Sequence, residues 1–485
     1  MTFMKNYSHL LKLTGLSISL LAVSACTTVG PDYKGPPNIA GSSMERASYL
    51  RADDNGISVI SSSNWWTSFN DPILSDIIDK AMVNSPSIDI ANAKIAQARS
   101  GLKAARTTSL PTIGATASAP YINLPSEILD PQSTENRTDI NSANIGFDAS
   151  WEIDLFGGNV RRLEAREARA QATETQLADA QTSLSSEIAR LYIGLRARQE
   201  MANILQQQYE IDGQLLKYAR HRQQQGVGTL QEAEQFIAQQ AQSQSDIAQN
   251  ETEITILKDQ LALLSGLAPG ALDTQLSDIK SIPMPPKEIA IGAPADLLRM
   301  RPDIRLAERN LAAANADIGA SISDKFPKIN FMGILGMGGD DVTDIFNPAR
   351  LFGLALPRLN WNIFNGGRTA AQIEGKRSAY DEAEAQYRAT ILAALNDAEN
   401  SLTRFGGKRI SLARSLDTLS SAQRTANLEQ MRANAGTIAQ ANALIAQRQK
   451  LRAALITSTA KADLSEAYVR VNKSIGLGWT PAPER

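Results

Sequence analysis

The chain has 485 residues, enough for two or three domains, with 21% charged and only 5% aromatic residues. Its 49 basic and 51 acidic side chains nearly cancel to a net charge of -2, which argues against a nucleic-acid partner. One cysteine (Cys26) and two histidines (His9, His221) leave no disulfide framework, no cysteine- or histidine-based metal site and no histidine cluster for acid–base work, so neither an enzyme nor a cofactor is expected.

The first element is a targeting segment, residues 1–25. Lys5 and Lys12 precede an apolar run from Leu13 to Val23 that is too short to span a bilayer. The run ends in Val23-Ser24-Ala25-Cys26, which looks like a bacterial lipobox, so Cys26 is expected to carry lipid after cleavage. A thiol incidental to an ordinary signal peptide is the alternative. Thr27, standing where an aspartate would retain a lipoprotein, favours the outer membrane. Residues 26–64 are rich in Gly, Pro and Ser without periodicity and read as a lipid-anchored, extended leader.

Residues 65–280 read as one structural unit. A helix is expected over Asp71–Thr108, with Ile88, Ala91, Ile95 and Ala98 in a stripe at helical spacing. Pro111 stops it. Ile113–Leu124 and Ile145–Leu155 then alternate as strands that are polar on one face. Asn159 to Gln225 contains no proline and would make a helix roughly 100 Å long. In its second half Leu184, Ile188, Leu191, Leu195, Leu205 and Leu216 follow a heptad-like spacing that skips the Arg198 and Asp212 slots. The pattern predicts a narrow seam, with the rest of the helix wet or against similarly polar helices. A glycine turn and a return helix, Thr229–Leu264, complete the unit.

A linker at residues 281–294, carrying Pro283, Pro285 and Pro286, leads to a second unit at 295–479, and residues 480–485 are a tail. The second unit repeats the first at an offset of roughly 210 residues. Pro302 and Pro327 are spaced as Pro86 and Pro111 are; Ile304, Ala307, Leu311 and Ala314 repeat the helical stripe. Trp361 matches Trp151, Gly436 matches Gly226, and Gly476 matches Gly266. Its elements are a helix (Ala295–Asp324), strands (Ile329–Met337 and Phe352–Phe364), a long helix (Arg368–Ala435) and a return helix (Ala439–Ser474). Pro357 predicts a bulge in the last strand. Four strands of about ten residues can cross a bilayer when tilted but cannot close a barrel, and open edges in lipid are costly. Several copies must therefore share one barrel. Trp151, Trp361 and Phe364, near strand ends, suit either the membrane interface or a packed core.

The ordered motifs are Asn64-Trp65-Trp66-Thr67-Ser68-Phe69-Asn70-Asp71-Pro72, Trp151 to Gly158 (WEIDLFGG), Arg301-Pro302-Asp303-Ile304 with Ala307-Glu308, Phe326-Pro327, and Trp361 to Arg368 (WNIFNGGR). Together they resemble the outer-membrane factor family, the TolC-like channels of tripartite efflux and secretion systems, in particular its lipoprotein branch. The resemblance extends from about Asn64 to Trp479 and implies a mainly α fold with a β-barrel part. Tandem-repeat protomers of long antiparallel helices plus four strands would form a homotrimer, with a twelve-stranded transmembrane barrel and a twelve-helix periplasmic barrel. Small residues such as Ala165, Ala168, Ala172, Ala389, Ala393 and Ala394 would let the helices approach closely. The implied partners are a periplasmic adaptor (membrane fusion) protein, an inner-membrane efflux pump and outer-membrane lipid. The implied function is passive export of small molecules such as drugs and toxic compounds. A duct for protein secretion and a pore-free lipid-anchored scaffold are the alternatives.

The resemblance also assigns candidate sites. Two turns read Arg-x-x-x-Gly and correspond to the family's periplasmic tips: Arg222, Gly226, Val227, Gly228 and Thr229 in the first, Arg432, Gly436 and Thr437 in the second. They are candidates for adaptor docking, although a cation near a helix C-terminus also complements the helix dipole. The family places a constriction just inside the tips, often with an aspartate. Ile445 stands there instead, with Ala441, Asn442 and Leu444 nearby, so a gate would be apolar unless these are seam positions. The glycine-rich run Gly333–Asp341 follows a strand and opens no helix, which fits a strand end and outer loop rather than a dinucleotide site. Asp340, Asp341 and Asp344 could bind a cation weakly, with a solvated acidic loop as the ordinary reading.

Overall fold

The computed structural model describes residues 28–39, 41, 46, 48–51, 64–126, 137–287, 289, 293–296 and 300–479. The signal segment, Cys26 and the tail lie outside them. In chain order the elements are α1 (Pro72–Asn84), α2 (Pro86–Thr107), β1 (Thr112–Ser118), β2 (Tyr121–Pro125), β3 (Arg137–Asn141), β4 (Ala143–Ile153), α3 (Gly158–Gln224) and α4 (Leu230–Leu264). Then follow α5 (Pro302–Ser323), β5 (Lys328–Gly339), β6 (Leu351–Asn360), α6 (Arg368–Asn434) and α7 (Gln440–Ser474). The duplication is exact in length where it matters most: α3 and α6 have 67 residues each, α4 and α7 have 35 each.

Prolines move two of the expected boundaries. The single helix predicted over Asp71–Thr108 is two, because Ser85 is extended (ψ 129°) ahead of Pro86, as a residue preceding proline prefers. The helix predicted from Ala295 begins instead at Pro302, a residue suited to a helix's first turn. Asp71 caps α1 by accepting the amides of Ile73 and Leu74 at 2.9 and 3.2 Å.

The chain divides into two compact units, and the first draws on Met1–Pro37, Ala96–Ala172 and Glu308–Gln386. Its sheet has the order β1-β4-β5-β6, antiparallel throughout. The predicted strand Ile113–Leu124 is split at Ala119-Pro120 into β1 and β2, and β2 pairs with β3 in a separate two-stranded ribbon. Pro357 causes no bulge. It pairs with Phe331 in an unbroken register, and β6 lies at the edge of the chain's own sheet, where a missing N–H need not break the ladder. The glycines from Gly333 to Gly339 belong to β5 itself, and β6 stops at Asn360, leaving Trp361 and Phe364 beyond it.

Paired residues share a face, so Phe147, Ala149, Trp151 and Ile153 of β4 lie with Leu335, Gly333, Phe331 and Ile329 of β5. The opposite face carries all the sheet's charges, with Thr116, Asp148, Ser150, Glu152, Asn330 and Arg358 interspersed with Met332, Ile334, Phe352, Leu354 and Leu356. One apolar and one charged face is the alternation of a barrel wall between lipid and water. Trp151 and Trp361 are exposed and donate to the carbonyls of Ser109 and Lys325 at 2.9 and 3.0 Å. Of the two readings of these aromatics, core packing is excluded for the described chain.

At the start of α3, Asp154 accepts the amides of Gly158, Asn159 and Val160 at 2.7, 2.7 and 3.1 Å. Three donors on one carboxylate fix where the long helix begins. Residues Val29 to Asp32 lie against this corner. The Val29 amide donates to the Phe156 carbonyl at 3.1 Å, and Asn315 Nδ2 to the Pro31 carbonyl at 3.0 Å. The buried Arg161 guanidinium donates to the Val29 and Gly30 carbonyls and to Asp32 at 2.7 Å.

The second unit comprises Asn38–Ile95, Thr173–Ala307 and Tyr387–Arg485. Part of its core is an aromatic cluster: Trp65 meets Trp66, Phe69 and Tyr468 edge-on, with Phe69 and Tyr468 at 5.4 Å and 90°. Here the narrow-seam expectation for α3 fails. Leu184, Ile188, Leu191 and Leu195 are buried as predicted, but so are Ala189, Tyr192, Ile193 and Ala197 around the helix. Segments remote in sequence wrap this stretch. Tyr192 donates to Asp71 at 2.8 Å, and Arg196 and Gln199 donate to the carbonyls of Asp278 and Leu276 at 2.6 and 2.8 Å.

Candidate functional site

The two turns singled out by sequence lie in the second unit and are built alike. In the first, Gly226 has φ 72° and donates to the Gln223 carbonyl, while Val227 donates to Arg222, both at 3.0 Å. In the second, Gly436 also has φ 72°, donating to Ala433, while Thr437 donates to Arg432, both at 3.0 Å. This pair of bonds satisfies the last carbonyls of a helix, and a left-handed glycine makes it inexpensive.

The turns differ in their second bond to the arginine carbonyl. Gly228 N–H supplies it in the first, at 3.0 Å. The Thr437 hydroxyl supplies it in the second, at 2.9 Å. A Cβ on Gly228 would lie 2.9 Å from both Arg222 Cβ and the Gln223 nitrogen, so the first turn closes only around glycine. Thr229 caps α4 through the Glu232 amide at 3.1 Å, whereas Ala439 before α7 makes no such bond.

The arginines are separated by what they touch. Arg222 crosses its turn to Glu232 at 3.0 Å and to the Val227 carbonyl at 3.3 Å. Arg432 stays on its own helix, with Glu429 at 2.9 Å. Both guanidiniums remain about half exposed, and Val227 is 67% exposed at the apex. The first turn thus offers an exposed apolar side chain and a half-exposed cation, and the second a half-exposed cation.

The structure splits the gate candidates. Leu444 is buried in a cluster with Ile211, Leu215 and Leu451, and Ala441 packs against that cluster. Asn442 and Ile445, three residues apart on one side of α7, are exposed, Ile445 to 44%. Leu444 and Ala441 therefore pack into the seam between helices, while Asn442 and Ile445 lie on the uncovered side of α7.

Sequence reasoning passed over Asp212 as a gap in the stripe. It is fully buried and accepts Gln239 Nε2 at 2.7 Å and Ser243 Oγ at 2.6 Å from α4. Arg448 Nε of α7 stands 3.0 Å away. One carboxylate thus joins three helices about 15 Å from the first turn, at ten residues along α3. A charged residue interrupting an apolar repeat was the available signal.

Among the described residues no group of three or more His, Cys, Asp or Glu side chains could hold a metal ion. The acidic loop is accounted for locally: Asp341 accepts the Thr343 amide and hydroxyl at 2.8 and 2.7 Å, in a capping box with Asp344.

Residues 77–267 and 293–477 match the family model described as outer membrane efflux protein. The pyoverdine export outer membrane protein OpmQ of Pseudomonas aeruginosa is 29% identical over 475 residues, covering 95% of this chain and 97% of that protein. The toluene efflux pump outer membrane protein TtgF of Pseudomonas putida is 28% identical over 481 residues, covering 96% of each. Among solved structures, the outer-membrane channel OprN has a TM-score of 0.84 at 28% identity, covering 94% of this chain and 100% of that one. One matched stretch lies in each half of the chain, and the fold agrees with that of the solved channel. This chain belongs to the outer membrane efflux protein family and is an outer-membrane channel component of an efflux system.

Proposed function

We propose that the protein works as a homotrimeric, passive exit duct for small molecules. The observation that carries this reading is the sheet β1-β4-β5-β6, in which β1 and β6 each have, among the described residues, one partner strand. Unpaired backbone is untenable in lipid, and further copies pairing β6 to β1 would close a barrel with its charged face inward. Three copies give twelve strands, the number the family resemblance implies. The long polar helices then wall a periplasmic conduit, and a pump in the inner membrane supplies the energy through an adaptor.

The adaptor would dock at the apices formed by Arg222, Gly226, Val227, Gly228 and Thr229 and by Arg432, Gly436 and Thr437. Asn442 and Ile445 would line a constriction behind them. Lipid on Cys26 would anchor the leader beside the barrel. The relatives' names, which speak of pyoverdine and toluene, support small molecules over proteins as cargo. Purified protein should show three-fold particles in electron micrographs and pass ions in planar bilayers. A monomer that passes no ions would end this reading. Radiolabelled palmitate should enter the wild type and not Cys26→Ser.

A further inference from the structure

On the charged face of the sheet, two successive rungs of that face, two residues apart along each strand, form the floor of a cavity. In one, Glu152 pairs with Asn330 and Asn330 with Arg358. In the next, Ser150 pairs with Met332 and Met332 with Leu356. Paired residues point to one side, and residues two apart repeat it, so these six side chains share a surface. They line a cavity of about 460 Å³, a volume suited to a small organic molecule.

The charges at the ends of the first rung are free. Neither the Glu152 carboxylate nor the Arg358 guanidinium bonds to another described side chain, while the nearby cations Lys328 and Arg162 are engaged by Asp324 at 2.8 and 3.6 Å. Two strand spacings separate Glu152 from Arg358, about 10 Å at the backbone. Between and above them lie Asn330 and the half-exposed Met332 and Leu356. The wall stays apolar along the same face at Ile334, Leu354 and Phe352.

An anion and a cation at fixed separation, bridged by apolar surface, complement one kind of molecule. We propose that this cavity binds small zwitterionic organic compounds, the amine at Glu152, the carboxylate at Arg358 and an apolar core against Met332 and Leu356. Resting on the duct reading, the site is a station on the inner barrel wall where such cargo pauses during exit. A lone charge or an uncharged hydrocarbon would leave one or both poles unmatched, and an unmatched ionic contact forfeits roughly tenfold or more in affinity.

The probe is 4′-(aminomethyl)biphenyl-4-carboxylic acid, a rigid rod with an amine at one end and a carboxylate at the other. Equilibrium dialysis against the detergent-purified full-length protein should show saturable binding. Glu152→Gln and Arg358→Gln should each weaken it about tenfold, as should removing either charge from the probe. The double variant Glu152→Arg/Arg358→Glu should recover binding, because the rod can turn end for end, and a merely structural role of the two residues predicts no such recovery. Absence of saturable binding by the wild type, or undiminished binding by Glu152→Gln/Arg358→Gln, would overturn the site. Dialysis needs no ion current, so a conducting pore that ignores the probe defeats the site alone, and a protein that binds the probe yet passes no ions defeats the duct alone.

Discussion

At the scale of single residues, burial and charge set the chemistry of the helical unit. Glu466 lines a cavity of about 520 Å³ with Glu187, Arg190, Arg404 and Lys473. Burial pushes its carboxyl above the ordinary 4.5, with Arg190 pulling the other way. Glu187, by contrast, is held low by its hydrogen bond from Arg190, at 2.5 Å through Nη2. A raised carboxyl opposes folding at every pH above its folded value, and the penalty fades as pH falls through that value toward 4.5. Glu466→Gln should therefore raise the thermal midpoint at pH 7.5 and confer no gain near pH 4. An equal gain at both would show that packing, not ionisation, is responsible.

Among elements, the turns and the helices behind them depend on few contacts. Asp212→Ala removes the acceptor for Gln239 and Ser243 and the counter-charge of Arg448, and should cost about 2 kcal/mol in unfolding free energy. Urea unfolding measures this, and a change within error would reduce Asp212 to a bystander. Gly228→Phe should deform the first turn and abolish drug resistance while leaving the trimer intact; full resistance at normal expression would refute a docking role. Ile445→Ala should raise the open fraction in single-channel records, whereas Leu444→Ala should instead lower stability, by the 2–5 kcal/mol range typical of emptied core positions. If Ile445→Ala leaves gating untouched, the constriction lies elsewhere.

For the whole molecule, duplication explains why one chain has two helix turns of the same build, at Gly226 and Gly436, and paired long helices of equal length. Each return helix ends in a left-handed glycine, Gly266 or Gly476, whose neighbour Leu267 or Leu477 donates to Ala262 or Asn472 at 2.8 and 3.0 Å. Both glycines pack on the carbonyl of a residue shortly before an inbound-helix proline, Asn84 before Pro86 and Met300 before Pro302. A side chain at either position would push the returning helix off its partner. The second copy adds a lock: Arg301 donates to the Ser474 carbonyl at 2.7 Å and to Asp303 and Asp397, and Trp479 donates to Met300 at 2.9 Å.

The sequence alone determined the repeat, the two long helices, the two tip turns and the strand faces, because prolines, glycines and apolar periodicity act locally and need no partner to be read. Its boundary errors at Pro86, Pro302 and Pro120 were overestimates of how far a pattern runs through a proline. Only the tertiary structure decided which side of α7 is covered, why α3 is buried all round near Tyr192, what Asp212 holds, and that Glu152 and Arg358 stand on one rung. Those facts depend on segments far apart in the chain meeting in space, and no local pattern records which segment will arrive.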